Sequence, residues 1–342
     1  MPPSKRGLTV AVTGPTGTFG FGLIPQLQAD TRVDRIVGIA RRPFDPATPG
    51  WSKMTYRRGD VRDAGGLRDA FSHADVVVHL AFLVSGAAPA ETIRAVNVDG
   101  TLNAFRAAAQ AGARRFVYAS SVAAYGFHPD NPAEMTEDWP VRADQHLFYA
   151  RHKAELEHRL AAEAARPGAP ALYLLRPSIV LGPHVIGEKS LLPGFLAGWL
   201  PPAWGRGLTG WASLPARFPV RVPVLVPALP VQFVHEADLG QALRQCVVAA
   251  GPAGAYNIAA DGVLTAADVV RELGLRPVPL PAGPTHAAAR AVAALPFLPP
   301  AAQWLQAASR PAIMDTTRAK RDLGWAPRYT ALEALRDTVR RL

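Results

Sequence analysis

The first 180 residues predict an α/β fold in which helices cover both faces of a parallel β-sheet. Short runs of β-branched residues alternate there with longer stretches of helical periodicity, which is the pattern of strand–helix–strand units. The runs are continuously apolar, as in strands that are buried on both faces. After about residue 182 this alternation weakens. We therefore predict a doubly wound parallel sheet with a smaller, mixed C-terminal domain.

The elements are predicted in chain order from these runs. Six strands are expected at Leu8–Thr13, Arg35–Ala40, Met54–Arg58, Val76–Ala81, Phe116–Ser121 and Leu172–Val180. Between them, helical periodicity predicts helices at Thr18–Ala29, Glu91–Ala111 and Ala143–Ala165. Residues 191–230 show poor periodicity. Beyond them, strands are expected at Val231–Val234 and Ala255–Ala259, and helices at Glu236–Ala249 and Thr330–Leu342.

The composition excludes several classes of protein. Nearly half of the 342 residues are apolar and the chain has one cysteine, Cys246. A soluble protein with a large core is therefore feasible. A disulfide within the chain is excluded, and neither a cysteine-based nor any other metal site is expected. Cys246 lies in an Ala/Val-rich stretch and is expected to be a small buried apolar side chain.

The net charge of +10 raises the question of nucleic-acid binding. The basic residues are scattered in short pairs, such as Arg41-Arg42 and Arg57-Arg58, with no basic tract interleaved with aromatic residues, so nucleic acid is not an expected partner. The first apolar run is too short for a signal peptide. No run of 18 apolar residues is present, so a membrane-spanning helix is not expected. A cytoplasmic protein is the expectation.

A glycine-rich turn follows the first strand and begins the first helix. Gly14, Gly17 and Gly20 recur every three residues. Because glycine has no Cβ, the first two permit a tight turn and a close approach of a pyrophosphate, and the third permits close packing of the helix on the sheet. The helix N-terminus favours an anion. The turn predicts a dinucleotide site that comprises Gly14, Thr16, Gly17, Thr18, Phe19 and Gly20.

The residues after the second strand bear on cofactor choice. NAD sites usually carry an acidic residue there for the ribose 2′-hydroxyl, whereas arginine suits a 2′-phosphate. Here Ala40 is followed by Arg41 and Arg42, and no acidic residue occurs before Asp45. We therefore favour NADP(H) over NAD(H). The alternative is that both arginines are solvated surface residues.

A tyrosine and a lysine lie four residues apart in the third predicted helix. Tyr149 and Lys153 would share one face of that helix. The reference pKa of tyrosine, about 10, is too high for an efficient base at neutral pH, and a nearby cation lowers it. This pair predicts proton exchange with a substrate hydroxyl at Tyr149. A serine hydroxyl at the carboxyl end of the preceding strand would bind the reacting oxygen.

Together these motifs closely resemble the extended short-chain dehydrogenase/reductases, the NAD-dependent epimerase/dehydratase family. The resemblance covers nearly the whole chain. Its motifs are TGPTGTFG at 13–20, GDVR at 59–62, HLA at 79–81, NVDGT at 97–101, SSVAAYG at 120–126, YARHK at 149–153, RP at 176–177, GP at 182–183, FVHEAD at 233–238 and LGW at 323–325.

The resemblance implies a role for each matching residue. Ser121, Tyr149 and Lys153 match the catalytic serine, the acid/base and the ribose-binding lysine. Asp60 and Val61 would flank the adenine, Leu80 and Ala81 would line the cofactor cleft, and Pro177 would approach the nicotinamide. Residues 1–182 would form the NAD(P)-binding Rossmann domain, completed by segments near 231–260, and 183–342 the substrate-binding region. For Asn97 and His235, purely structural roles are equally open.

Three features of the sequence narrow the choice of reaction and substrate. Val122-Ala123 follow Ser121, where sugar 4,6-dehydratases carry an Asp-Glu pair, so that reaction is rejected. Ile179 stands where nucleotide-sugar enzymes place an asparagine, and an apolar side chain cannot make its hydrogen bonds. The segment Leu191–Trp204 is almost wholly apolar and favours an apolar substrate. It could instead be core, a dimer contact or, less favoured, a peripheral membrane contact.

The leading hypothesis is an NADP(H)-preferring oxidoreductase acting on an apolar secondary alcohol or ketone. One alternative is a nucleotide-sugar epimerase, for which Arg206, Arg217 and Arg221 could bind a diphosphate. Another is a non-catalytic NADP-sensing protein, which would typically have lost the Tyr149–Lys153 pair. The expected partner is a small-molecule substrate, and a homodimer is an expectation from the resemblance.

Overall fold

A seven-stranded parallel sheet is the centre of the computed structural model, which describes residues 7–84, 88–143, 147–185, 223–227, 229–280 and 310–340. The strand order is β11-β6-β5-β4-β1-β2-β3, and every pair is parallel. The predicted doubly wound sheet is confirmed. Its strands are β1 Leu8–Thr13, β2 Val33–Ala40, β3 Met54–Arg58, β4 Val76–His79, β5 Arg115–Ala119, β6 Ala171–Pro177 and β11 Gly254–Ile258.

Helices cover both faces of this sheet, and each layer encloses its own apolar core. One core contains side chains of α1, α6 and α8, and the other contains side chains of α2, α4 and α5. Burial of both sheet faces explains why the strands are continuously apolar. These helices are α1 Thr18–Ala29, α2 Ala64–Phe71, α4 Gly100–Gln110, α5 Phe148–Ala164, α6 Glu236–Val247 and α8 Thr317–Leu323.

The predicted helix at Glu91–Ala111 consists of three parts. It begins as α3, Ala90–Arg94, continues through a π-helical segment at Ala95–Asp99 and ends as α4. π-helical segments inside α-helices frequently mark functional sites. Asn97 lies within this segment.

Several predicted boundaries were wrong. The fourth and fifth strands end two residues early, at His79 and Ala119, the latter because Ser121 caps a one-turn 3₁₀ helix, Val122–Tyr125. The predicted strand Leu172–Val180 is broken at Ser178 into β6 and β7, Ile179–Leu181. Helix α5 begins at Phe148 rather than Ala143.

Helices α1 and α6 touch backbone to backbone. A Cβ added to Gly22 would lie 2.1 Å from the carbonyl oxygen of Glu236, and one added to Gly240 would lie 2.0 Å from that of Gly22. Both distances are shorter than any real contact of a Cβ. The two glycines therefore fix the helix that begins at the glycine-rich turn against the C-terminal part of the chain.

Smaller strand pairs lie beside the sheet. Strand β7 pairs in parallel with β10, β9 pairs antiparallel with β12, and β8 pairs in parallel with β13. The bounds are β8 Pro223–Pro227, β9 Pro230–Val231, β10 Phe233–His235, β12 Leu264–Thr265 and β13 Arg276–Leu280, with helices α7 Ala266–Glu272 and α9 Ala331–Val339.

Some sequence predictions fall on residues that are not described. The apolar segment Leu191–Trp204 and the arginines Arg206, Arg217 and Arg221 lie outside the described residues. Within the described part, no helix has the length and apolarity needed to cross a membrane, and no three His, Cys, Asp or Glu side chains are grouped as metal ligands. Cys246 is fully buried, which raises the pKa of its thiol.

Candidate active site

The predicted site residues lie where the central strands of the sheet end. Gly14 follows β1, Leu80 follows β4, Ser121 lies two residues after β5, and Pro177 is the last residue of β6. These strands are neighbours and parallel, so their carboxyl ends share one edge of the sheet. Ligands of open α/β sheets bind at this edge.

The glycine-rich turn leaves an open space at the N-terminus of α1. Gly14 has φ +70°, and an added Cβ would lie 2.8 Å from the amide nitrogen of Ala81. A Cβ on Gly20 would lie 2.0 Å from the Pro15 carbonyl oxygen, whereas one on Gly17 would meet a single described atom, the Gly14 carbonyl oxygen at 3.7 Å. Gly17 is the N-cap of α1, and within the described residues no side chain caps that end. A helix N-terminus beside open space fits the diphosphate of a dinucleotide.

Two alanine substitutions are expected to separate binding from folding. Gly17→Ala should lower stability by no more than about 1 kcal/mol, since alanine is less favourable than glycine at an N-cap but its methyl group meets no described atom closely. It should weaken dinucleotide affinity at least tenfold. Gly20→Ala should lower stability by about 1–3 kcal/mol, because its methyl group overlaps the Pro15 carbonyl. Thermal unfolding and isothermal titration with NADP⁺ measure both effects. Equal dinucleotide affinity of Gly17→Ala and wild type would contradict the assignment.

Arg41 and Arg42 project at the end of β2. Both are exposed, and Arg41 lies close enough to lower the pKa of Asp60. Asp45, the first acidic residue after β2, accepts a hydrogen bond from the amide of Ala47 at 2.9 Å. This end of β2 therefore presents two guanidinium groups, while its nearest carboxylate takes part in a local turn.

Asp60 and Val61 are held by near neighbours. The Asp60 carboxylate accepts hydrogen bonds from the Arg62 guanidinium at 2.7 and 3.1 Å, and chiefly this lowers its pKa. Val61 is buried and packs against Gly100, where an added Cβ would lie 2.5 Å from it. Contact of Asp60 and Val61 with an adenine ring stays a prediction.

Ser121 and Tyr149 are brought together by β5 and α5. Their side chains are hydrogen-bonded, although 28 positions separate them in the chain. The Ser121 Oγ also accepts a hydrogen bond from the Ala123 amide at 3.1 Å, which fixes its rotamer at the start of the 3₁₀ helix. The arrangement places a hydroxyl and a phenol side by side at the carboxyl edge of the sheet.

Lys153 hydrogen-bonds to the end of β5, a contact that its spacing from Tyr149 did not predict. Its Nζ donates to the carbonyl oxygen of Ala119 at 2.6 Å and to the Tyr118 hydroxyl at 3.2 Å, and lies 5.7 Å from the centroid of the Tyr149 ring. Burial raises the pKa of Tyr149, and its hydrogen bond with Ser121 opposes this. Burial and Ser121 account for the shift of this pKa, so the expectation that Lys153 lowers it is not met.

The buried ammonium of Lys153 makes stability depend on pH. Burial lowers the pKa of Lys153 from 10.5 to about 7. Between these two values the unfolded chain binds a proton that the folded chain does not, so stability should rise with pH, by at most about 1.4 kcal/mol per pH unit. Urea unfolding between pH 7 and 10 should show this rise for wild type relative to Lys153→Met. The exposed Lys320 provides the control: Lys320→Met should follow wild type.

A fully buried polar network lies beneath the site. Glu157 and Arg176 form a bidentate ion pair, with a shortest distance of 2.6 Å. Glu157 also accepts a hydrogen bond from the Ser120 hydroxyl at 2.5 Å, and Arg176 donates to the Tyr125 hydroxyl at 2.7 Å. Tyr125 in turn donates to Asn257 Oδ1 at 2.8 Å. The network therefore holds both ends of the Ser120–Tyr125 segment that carries Ser121.

The two histidines and the asparagine of the sequence motifs have structural contacts. His79 lies between the hydroxyls of Thr13 and Thr101, at 2.8 and 3.0 Å, and burial lowers its pKa to about 3. His235 caps α6. Asn97 exchanges two hydrogen bonds with the backbone of Leu83, at 2.7 and 2.9 Å. Each contact joins two elements around the sheet edge.

Sequence reasoning missed two side chains at the site, Phe82 and Glu157. Glu157 lies four residues after Lys153, on the same face of α5, so the helical spacing contained a signal for it. Phe82 follows the HLA motif directly, and nothing in its position indicated a contact with α5. Ser178, just beyond Pro177, is buried, and no described residue bonds its hydroxyl.

Comparison with protein families gives a match over more than half of the chain. Residues 10–201 match the model of the NAD dependent epimerase/dehydratase family. An uncharacterized protein of Mycobacterium tuberculosis is 28% identical over 97% of this chain and 83% of the relative. An uncharacterized protein of Sinorhizobium fredii is 30% identical over 96% and 77%. Sterol demethylase protein B of Methylococcus capsulatus is 32% identical over 52% of each chain.

Solved structures share the fold at low sequence identity. A short-chain dehydrogenase/reductase superfamily protein of Agrobacterium tumefaciens, with bound NAD, has a TM-score of 0.70 and 22% identity over 97% of both chains. UDP-glucose 4-epimerase of Thermotoga maritima, with UDP-glucose, has a TM-score of 0.71 and 18% identity over 98% of both chains.

Proposed function

The chain belongs to the NAD dependent epimerase/dehydratase family, and from this premise we propose that it is an NADP(H)-preferring oxidoreductase acting on an apolar secondary alcohol or ketone. The observation that carries the proposal is the hydrogen bond between Ser121 and Tyr149, beside the buried ammonium of Lys153. Such a pair can bind the oxygen of a carbonyl or alcohol from two sides. Residues 183–342 would supply most of the substrate contacts.

The roles of the side chains follow from their chemistry. A bound nicotinamide would give or accept the hydride, held by the turn at 14–20 with its diphosphate at the N-terminus of α1. The Tyr149 phenol, kept neutral by burial, would donate its proton to the oxygen of a ketone. In the reverse direction the Tyr149 phenolate would take the proton of the alcohol. Ser121 would orient that oxygen. Lys153, which matches the ribose-binding lysine of the family, would hold the nicotinamide ribose beside this pair.

Apolar side chains beyond the ends of β4 and β6 support an apolar substrate. Phe82 is half-buried, lies three residues beyond the end of β4 and meets the Tyr149 ring edge to face. Ile179 packs against the apolar cluster of β7, β10 and α9. The partial match to a protein named sterol demethylase protein B favours the same class of substrate.

The preference for NADP(H) has its own test. Arg41→Ala combined with Arg42→Ala should lower kcat/KM for NADPH at least tenfold and leave that for NADH within about twofold, because only NADPH carries the phosphate that a guanidinium binds. Arg35→Ala combined with Arg68→Ala, two exposed arginines away from the end of β2, controls for general charge. A loss equal for both cofactors, or none, would contradict the preference.

A nucleotide-sugar epimerase is the second candidate, favoured by the similarity to the UDP-glucose 4-epimerase fold. The two functions predict different ligands. A panel of aliphatic, aromatic and steroidal ketones should support NADPH oxidation if the first proposal is right. Calorimetry with UDP and TDP tests the epimerase. Tight binding of a nucleoside diphosphate, together with no NADPH oxidation by any ketone of the panel, would favour it.

A further inference from the structure

One aromatic side chain touches both members of the Tyr149–Lys153 pair. The Lys153 Nζ lies 3.8 Å from the ring centroid of Phe82. The Phe82 and Tyr149 rings meet edge to face, with centroids 5.5 Å apart and an interplanar angle of 85°. An ammonium over a ring face and a perpendicular ring pair are both favourable arrangements. Phe82 is thus in contact with both side chains of the pair.

The backbone on both sides of Phe82 is held in place. Before it, the amides of Leu80 and Ala81 donate to the carbonyl and the hydroxyl of Thr13, at 3.0 and 3.5 Å. After it, Leu83 exchanges its two hydrogen bonds with Asn97 in the π-helical segment. Asn97 belongs to the NVDGT motif but has no role in the proposed reaction. Its contacts give it a structural role, because they fix the loop that carries Phe82.

We propose that Phe82 is a positioning residue, whose ring holds the Lys153 ammonium against the end of β5 and keeps the Tyr149 phenol facing Ser121. The proposal deepens the proposed function, since it rests on Tyr149 and Lys153 as the reactive pair. Its physical basis is a ring that covers the ammonium from water on one side while its π-face attracts the charge.

The other polar groups around Lys153 come from three elements. Tyr118 and the Ala119 carbonyl belong to β5 and bind the ammonium directly. Glu157, on α5, raises the pKa of Lys153 and opposes the lowering by burial. His79, on β4, is neutral and buried. Phe82 provides the nearest described ring to the Nζ, at 3.8 Å against 4.7 Å for Tyr118 and 5.7 Å for Tyr149, so its exchange should have the largest effect on exposure of the ammonium.

The decisive measurement is the titration of Lys153 itself. The chain has five lysines, so ¹³C-lysine labelling gives few resonances, and Lys153→Met identifies the one required. In Phe82→Ala, water should reach the ammonium and raise the titration midpoint above the wild-type value of about 7. In Phe82→Leu, the apolar cover remains without the ring, and the midpoint should stay at or below that value. Leu83→Ala, from the same loop, should match wild type.

Kinetics test the consequence for turnover. Phe82→Leu should lower kcat roughly 10- to 100-fold, since small misplacements of reacting groups have effects of this size, with NADP⁺ affinity within about threefold of wild type. Leu83→Ala should retain wild-type kcat. The proposal is overturned if Phe82→Ala leaves the Lys153 midpoint unchanged or if Phe82→Leu turns over like wild type. The titration of Lys153 needs no substrate, so the two proposals can fail separately. A wild-type protein without activity would contradict the proposed function, while the Lys153 midpoint in the Phe82 variants would still test the positioning role.

Discussion

Tyr149→Phe is expected to lower kcat by about 10²- to 10⁴-fold, the range typical of general acid–base catalysis. The substitution removes only the phenolic oxygen that is hydrogen-bonded to Ser121. The ring remains and can keep its edge-to-face contact with Phe82, so the fold and the dinucleotide site should persist. Steady-state rates with the best ketone of the panel and calorimetry with NADP⁺ measure the two quantities separately.

A second tyrosine provides the matched control. Tyr173 donates its hydroxyl to the Gly251 carbonyl oxygen at 2.9 Å, between β6 and the turn before β11 and away from Ser121. Tyr173→Phe removes the same atom and should keep kcat near wild type. If Tyr149→Phe retained full activity with unchanged NADP⁺ affinity, the assignment of the acid/base would be wrong.

Arg176→Met is expected to lower the free energy of unfolding by about 3–5 kcal/mol, the usual loss when one partner of a buried ion pair is removed. The side chains of Arg176 and Glu157 are only 6% and 4% exposed. Without the guanidinium, the Glu157 carboxylate would remain buried with the Ser120 hydroxyl as its remaining described hydrogen-bond donor. Urea unfolding at pH 7 measures the loss.

An exposed ion pair of the same chemistry sets the scale. Arg336 and Glu272 are 48% and 25% exposed and lie 2.9 Å apart. Arg336→Met should change the free energy of unfolding by less than about 1 kcal/mol, because water screens both charges. Similar small losses in both variants would show that the buried network contributes little to stability.

The first strand and helix could be predicted to the residue because the turn at Gly14 separates them sharply. Strand β1 and helix α1 have the predicted bounds, Leu8–Thr13 and Thr18–Ala29. Helix α2 was missed, since Gly65 and Gly66 disfavour a helix. Its formation depends on the Asp63 cap, which accepts from the Gly66 amide, and on burial of Phe71 against the sheet. Such tertiary support has no signature in a short window of sequence.

Part of the site was predictable because it depends on short-range spacing in the sequence. A four-residue spacing on a helix brings Tyr149 and Lys153 to one face, whatever the rest of the fold does. The partner of Lys153 depends on how α5 packs against β4 and β5, which sets the position of its Nζ over Phe82, 71 positions earlier in the chain. The hydrogen bond from Lys153 to the Ala119 carbonyl is likewise a result of packing, and no local sequence pattern predicts it.

The contact of Gly22 with Gly240 has a consequence for synthesis on the ribosome. Strand β11, which pairs with the outer side of β6, and helix α6, which covers Gly22, are both translated long after β6. A nascent chain that ends near residue 185 therefore carries an open strand edge and a bare glycine surface, features that invite pairing with other chains. The N-terminal half stays incompletely covered until α6 and β11 have been translated. Chaperones would therefore have their largest effect before these two elements leave the ribosome.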